Sequence, residues 1–306
     1  MLFTCTMNPS LDYYMEVDGP LISGQPNRST LEYFEAGGKG INVSIVLSNL
    51  GIPSSAFGFV GGFTKDFYIS LLAKYEEIRP NFTYINGHTR INVKCHAEEH
   101  TNLNATGPYI TRDDMKDMMR KVGRLAEGDY LVVAGITQEY LEAQVKEMLA
   151  NAVNEKVKVV LDTNENLMRE MLPYHPFMIK CTSRELEDLV QRELPDENAA
   201  VQAAREVYEQ GAENVIILQE DGTALLVCSL GCFKANVLND KETVNTVGTG
   251  DSMVAGFLMD YLRSRDTIDA FRFGASCGSA TAYSRGFATR EKIDSFYKDT
   301  EVIQID

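Results

Sequence analysis

Six short apolar runs rich in β-branched residues recur along the chain, with amphipathic stretches among them. The runs are LFTCTM (2–7), SAFGFV (55–60), YLVVAG (130–135), VKVVLD (157–162), FMIKCT (177–182) and NVIILQ (214–219). Short runs of this kind predict buried strands. The stretches GINVSIVLSNLG (40–51), KDFYISLLAKYEE (65–77), RDDMKDMMRKVGRLAE (112–127), YLEAQVKEMLANAVNE (140–155) and AAVQAAREVYEQG (199–211) space their apolar residues as helices do. Asp113 and Asp114 suit a helix N-terminus, and Gly51 and Gly211 suit helix stops. Strand–helix alternation predicts a mainly parallel sheet with helices on both faces, an α/β architecture. Toward the C-terminus, TALLVCSLG and GCFKANVL predict a hairpin, followed by helices over about 250–265 and 267–284.

Two regions break the alternation, residues 11–36 and about 81–105. Both hold β-type residues and turns without a helical run, and neither is long enough to be a domain. They are expected to pair into one small sheet over the main body. A chain of 306 residues is within reach of one α/β domain, so 1–306 reads as a single domain with these segments inserted.

Charge narrows the partners. Lysine plus arginine is 29 against 44 acidic residues, a formal charge of −15. That argues against nucleic acid and anionic membranes, which need basic surface. It leaves room for a small anionic ligand held by a few converging cations. No apolar run approaches the ~20 residues of a membrane helix, and the start MLFTCTMNPSLDYY carries no basic residue. The six cysteines are scattered with no C-x-x-C pair, so a cytoplasmic location is expected. His96 and His100 are spaced i, i+4, but in a strand-like stretch that does not form a helical metal pair.

The stretch NTVGTGDSMVAGF (245–257) places Asp251 between a glycine turn and a helix start. A helix N-terminus directs N–H groups at an anion, which a carboxylate would repel. Asp251 is then either a helix cap, for which aspartate is favoured, or a base beside a phosphate in transfer. A second cluster, EAGGKGINVS (35–44), also opens a helix. It is neither a Walker A loop nor a dinucleotide fingerprint.

Taken together, NPSLD (8–12), Asn27-Arg28, GGKGIN (37–42), TRIN (89–92) and TVGTGDSMVAGF (246–257) resemble the PfkB (ribokinase-like) carbohydrate kinases. The likeness runs from residue 3 to about 285 and lies closest to the branch acting on sugar phosphates. It implies a ribokinase-like three-layer fold with a small β-sheet lid, ATP and Mg²⁺ as cofactors, and a homodimer formed through the lid. It also implies transfer of phosphate to a ketohexose monophosphate, fructose 1-phosphate first. The alternatives are tagatose 6-phosphate, or a weakly active sugar-phosphate-binding protein on a kinase scaffold. Residue by residue, Asp251 matches the general base, with Gly248, Thr249 and Gly250 as the anion hole. Asp12, Gly38 and Asn42 match groups around the sugar, and Arg28, Lys39 and Arg90 match cations for its phosphate. Lys180, Thr182, Glu185, Gly222 and Ser279 match the nucleotide side, with Glu185 toward Mg²⁺. The chain departs from the family pattern at Lys180-Cys181-Thr182, Thr101-Asn102-Leu103-Asn104, Ala134-Gly135-Ile136 and Leu218-Gln219-Glu220-Asp221-Gly222.

Overall fold

The structure, a computed structural model, describes residues 1–236, 244 and 247–305. The chain begins with β1 (Leu2–Thr6), β2 (Ser10–Glu16), β3 (Leu31–Gly37), α1 (Lys39–Asn49), β4 (Ser54–Gly61), α2 (Gly62–Leu72), β5 (Ile78–Pro80), β6 (Thr83–Ile85), β7 (Arg90–His96) and β8 (His100–Leu103). It continues through α3 (Arg112–Val122), β9 (Tyr130–Ala134), α4 (Glu142–Asn154), β10 (Lys158–Asp162), α5 (Glu165–Met171), β11 (Met178–Thr182), α6 (Ser183–Val190), α7 (Glu197–Glu209) and β12 (Asn214–Leu218). The last elements are β13 (Ala224–Cys228), β14 (Gly231–Ala235), α8 (Thr249–Ser264), α9 (Thr267–Ala282), α10 (Arg290–Asp299) and β15 (Val302–Gln304).

All six apolar runs are strands of one large sheet, ordered β15-β14-β13-β12-β11-β10-β9-β1-β4-β5, with β6 also beside β4. Pairing is parallel from β5 to β12 and antiparallel from β12 to β15. Strand side chains alternate between faces, and both faces are apolar here. Leu131 and Val133 of β9 pack with Met115 and Val145 of α3 and α4. Tyr130, Val132 and Ala134 pack with Val254 and Phe257 of α8 on the other side. Burying each large apolar side chain contributes about 1.5–3 kcal/mol, so the alternation fixes a three-layer body. Gly51 and Gly211 lie just beyond α1 and α7, as their placement in the sequence predicts.

The two irregular regions do form a second sheet, ordered β3-β2-β7-β8. One part of the expectation fails. Residues 83–85, inside the second region, are β6, and they extend the main sheet beside the end of β4. The helices α5 and α6 span only 7 and 8 residues, too few for a helical period to stand out. In α10 only Ile293 is buried, so its period is equally faint. Val237 and Leu238, which end the predicted hairpin, lie outside the described residues.

This topology brings the C-terminal ends of β1, β10 and β11 to the N-termini of α1, α6 and α8. Open α/β sheets bind ligands at such a crevice. Among the described residues no helix is long and apolar enough to cross a membrane.

Candidate active site

The cap reading of Asp251 does not hold. Gly248 is the N-cap of α8, in the left-handed region with φ 79°, and it has no side chain with which to cap the helix. Asp251 lies in the first turn, and its Oδ2 accepts a hydrogen bond from Asn42 Nδ2 at 2.8 Å. Asn42 projects from the first turn of α1, so the two glycine-led helices meet at this carboxyl. Asp251 is only 4% exposed. Burial first, then the charge of Asp162, raises its pKa to about 6, against the pull of Lys180, Asn42 and Lys39. A carboxyl so poised gains and loses its proton near neutrality.

Asp162, the last residue of β10, organises the cations beside it. It is buried, and its Oδ1 accepts from Lys39 Nζ at 2.7 Å while Oδ2 accepts from Lys180 Nζ at 3.1 Å. Burial alone would raise the Asp162 pKa, but the ammoniums of Lys180 and Lys39 hold it below the usual value. Burial disfavours the charge on Lys39, yet Asp162 and then Glu185, 3.5 Å away, outweigh it and raise its pKa. Lys180 lies against the main chain of α8, where a β-carbon on Gly250 would come within 2.5 Å of its Nζ. Glycine at 250 is therefore what lets a buried ammonium touch the first turn of the helix.

The other half of the site lies under the small sheet. Asp12 Oδ1 accepts from Ser10 Oγ and Asn92 Nδ2, both at 2.8 Å. The Asp12 carboxylate lies so close to Gly37 that a β-carbon there would be 2.5 Å from it. Gly38 follows as the N-cap of α1, joining Asp12 to Asn42 through one turn of chain.

The three cations expected to converge for a phosphate do not all do so. Lys39 is held by Asp162, on the Asp251 side. The guanidinium of Arg90 donates through Nε and Nη2 to the carbonyl of Asn8, at 3.2 and 3.1 Å, and through Nη1 to that of Ala105, at 2.9 Å. Two of its five N–H groups remain. Arg28 is exposed between β2 and β3 and, among the described residues, bonds to no member of the site. Its segment is anchored instead by Asn27, whose side chain bonds the backbone of Ile22 and Gln25.

On the far side of α8 lies a cleft of about 440 Å³ lined by Thr182, Gln219, Gly222, Thr249, Gly278 and Ser279, among others. It unites three residues expected on the nucleotide side, Thr182, Gly222 and Ser279, with Thr249 of the expected anion hole. Thr182 and Glu185 also have a structural duty. They form the capping box of α6, with Thr182 N–H donating to Glu185 Oε2 at 2.7 Å. The small residues of α9 serve two purposes. Gly274 lets α9 approach Met253 of α8, while Ala275, Gly278 and Ala282 open the cleft. Among the described residues no three His, Cys, Asp or Glu side chains group as a metal site.

Asp162 and Asn92 are members of this site that sequence reasoning passed over. Asn92 stood inside the quoted TRIN segment without a role. Asp162 had one available signal, a carboxylate at the C-terminal end of a parallel strand.

Residues 6–293 match the pfkB family of carbohydrate kinases. The chain is 36% identical to 1-phosphofructokinase of Bacillus subtilis, covering 100% of both chains. It is 29% identical to D-tagatose-1-phosphate kinase of Bacillus licheniformis, again covering 100% of both. Phosphofructokinase-2 from Escherichia coli, solved in complex with substrates and products, superposes with a TM-score of 0.92 at 25% identity, over 97% of this chain and 98% of that one. The same enzyme has been solved in a tetrameric inhibited form. The chain belongs to the pfkB family of carbohydrate kinases.

Proposed function

We propose that the protein transfers the γ-phosphoryl group of ATP to a ketohexose monophosphate, converting fructose 1-phosphate to fructose 1,6-bisphosphate. The observation that carries this reading is Asp251, buried, free of the N-cap position and bonded to Asn42 in the first turn of a helix whose N-cap is a glycine. Full-length similarity to a 1-phosphofructokinase supports the substrate. The relative that acts on D-tagatose 1-phosphate favours that sugar, over tagatose 6-phosphate, as the second substrate to test.

In this mechanism Asp251 is the general base. Ionised above about pH 6, it accepts the proton of the acceptor hydroxyl as the oxygen attacks phosphorus. The N–H groups of Gly248, Thr249 and Gly250 take up the charge growing on the phosphoryl oxygens, and Lys180 adds its own charge beside Gly250. Asp12 and Asn92 orient sugar hydroxyls, and the cleft by Gly222 and Ser279 receives the nucleotide. The donor set fits Mg²⁺ bound mainly through nucleotide phosphates and water, for which one or two protein carboxylates suffice. Glu185 would supply such a carboxylate, since both oxygens of Asp162 already hold ammoniums, and the ion would neutralise phosphate charge.

Residues 1–306 act as one domain, with the small sheet as its lid. Its face opposite Asp12 carries Ile91 at 38% exposure and Leu103 at 61%, alongside Tyr13, Met15 and Val93. An exposed apolar face beside an open edge strand favours pairing with a second copy. Sedimentation at micromolar concentration should give a homodimer, and Leu103→Glu with Ile91→Glu should shift it to monomer. A wild-type protein that sediments only as monomer would end the lid-dimer reading.

Product analysis tests the reaction. After incubation with ATP, Mg²⁺ and fructose 1-phosphate, ³¹P NMR should show a second phosphomonoester on the sugar, equimolar with ADP. ADP formed without that signal would point to hydrolysis instead.

A further inference from the structure

In the small sheet, β7 lies beside β2 with Ser10 opposite Arg90, Asp12 opposite Asn92 and Tyr14 opposite Lys94. Alternation places Arg90, Asn92 and Lys94 on one face, the face of Asp12, at steps of roughly 7 Å along the strand. The Lys94 side chain turns back toward that cluster. Its Nζ donates to Asn104 Oδ1 at 3.3 Å. The next residue, Ala105, donates its N–H to Asn92 Oδ1 at 3.1 Å and accepts from Arg90 Nη1 at 2.9 Å. Asn92 in turn bonds Asp12. One polar network therefore runs from the Lys94 ammonium to the carboxylate beside the Gly37 turn.

Among the described residues Lys94, unlike Lys39, has no carboxylate partner, and its bond is to a neutral amide. Lys39 is neutralised by Asp162, Arg90 is largely engaged with carbonyls, and Arg28 is exposed outside the network. An ammonium at the tip of a half-buried side chain, with an amide partner and on a face lined by hydrogen-bonding groups, suits an anion that arrives from outside. A lysine on its flexible stem serves as a point charge for phosphate.

We propose that Lys94 anchors the phosphate that the ketohexose already carries and sets the preference for the monophosphate over the free sugar. The two free N–H groups of Arg90 complete the anchor. This rests on the reading above that the substrate is a ketohexose monophosphate. It directs the phosphate-bearing end of the sugar to the lid and leaves the other end for Asp251.

The test uses full-length Lys94→Met and Lys94→Arg proteins, with steady-state ADP release on fructose 1-phosphate and on free fructose. Fructose 1-phosphate is also added without nucleotide in a melting assay. Losing one charge-assisted contact to phosphate should lower kcat/KM for fructose 1-phosphate by about 10- to 150-fold, mainly through KM. The KM for ATP and the slow use of free fructose should stay unchanged, and fructose 1-phosphate should no longer raise the melting temperature. Lys94→Arg should restore most of the loss. A wild-type KM for fructose 1-phosphate in Lys94→Met would overturn the assignment. So would an equal loss on both sugars, because Lys94 would then only brace the lid hairpin through Asn104. Wild-type protein that uses free fructose as well as the monophosphate would instead remove the functional reading, and this proposal with it.

Discussion

Asp251→Asn is expected to lower kcat on the sugar phosphate by about 10²–10⁴-fold, the usual cost of losing a general base, in a protein that still folds. The variant should also be more stable than wild type at alkaline pH. The native-state pKa of Asp251 is raised from 3.8 to about 6, so the native state holds its proton more tightly than the unfolded chain. The stabilisation from that proton is complete below the unfolded pKa and is lost as pH rises through about 6. At pH 8 the buried carboxylate is ionised at a cost on the order of 3 kcal/mol, which a neutral amide avoids. Melting curves should therefore place Asp251→Asn above wild type at pH 8, with the gap closing toward pH 4. Near-normal turnover would remove the base assignment. A variant less stable than wild type at pH 8 would show that the raised pKa is wrong.

Asp162→Ala should be the most destabilising single change in the site. It strips the counter-charge from Lys180, whose side chain is 4% exposed, and from Lys39. Leaving a buried charge unpaired costs about 3–5 kcal/mol, and at roughly 2–4 °C per kcal/mol the melting temperature should fall by about 6–20 °C. Asp162→Leu combined with Lys180→Met should recover much of that loss, since an apolar replacement for a buried pair is often neutral. The double variant should still be inactive, because the charge beside Gly250 is gone. Calorimetry that finds Asp162→Ala as stable as wild type would mean this ion cluster does not hold the fold.

Much of the body was legible in the sequence because its signals are local. A strand such as YLVVAG is apolar on both faces within a few residues, and Gly51 and Gly211 mark helix ends directly. Asp251 was also visible, since a glycine turn and a helix start flank it within the same short segment. The charge pairings were not legible. Lys39 looked like a free cation at a glycine turn, but its partner Asp162 is 123 residues away. Arg90 looked available for phosphate because nothing nearby in sequence reveals that the carbonyls of Asn8 and Ala105 face it. Thr182 and Glu185 were read for their chemistry, while their three-residue spacing also spells a capping box. Strand β6 was assigned to the lid because two β-type segments adjacent in sequence carry no sign of which sheet each joins.

The most direct measurement of what this kinase does is initial-rate ADP release with ATP and Mg²⁺ across a set of acceptors. The set is fructose 1-phosphate, D-tagatose 1-phosphate, tagatose 6-phosphate, fructose 6-phosphate and free fructose. Fructose 1-phosphate is predicted to give the highest kcat/KM, with free fructose at least about tenfold lower, as expected from one lost charge-assisted contact. Free fructose matching fructose 1-phosphate would contradict the assignment of a sugar-phosphate kinase. Binding of fructose 1-phosphate without sugar-dependent ADP release would contradict it as well, and would leave a sugar-phosphate-binding protein on a kinase scaffold.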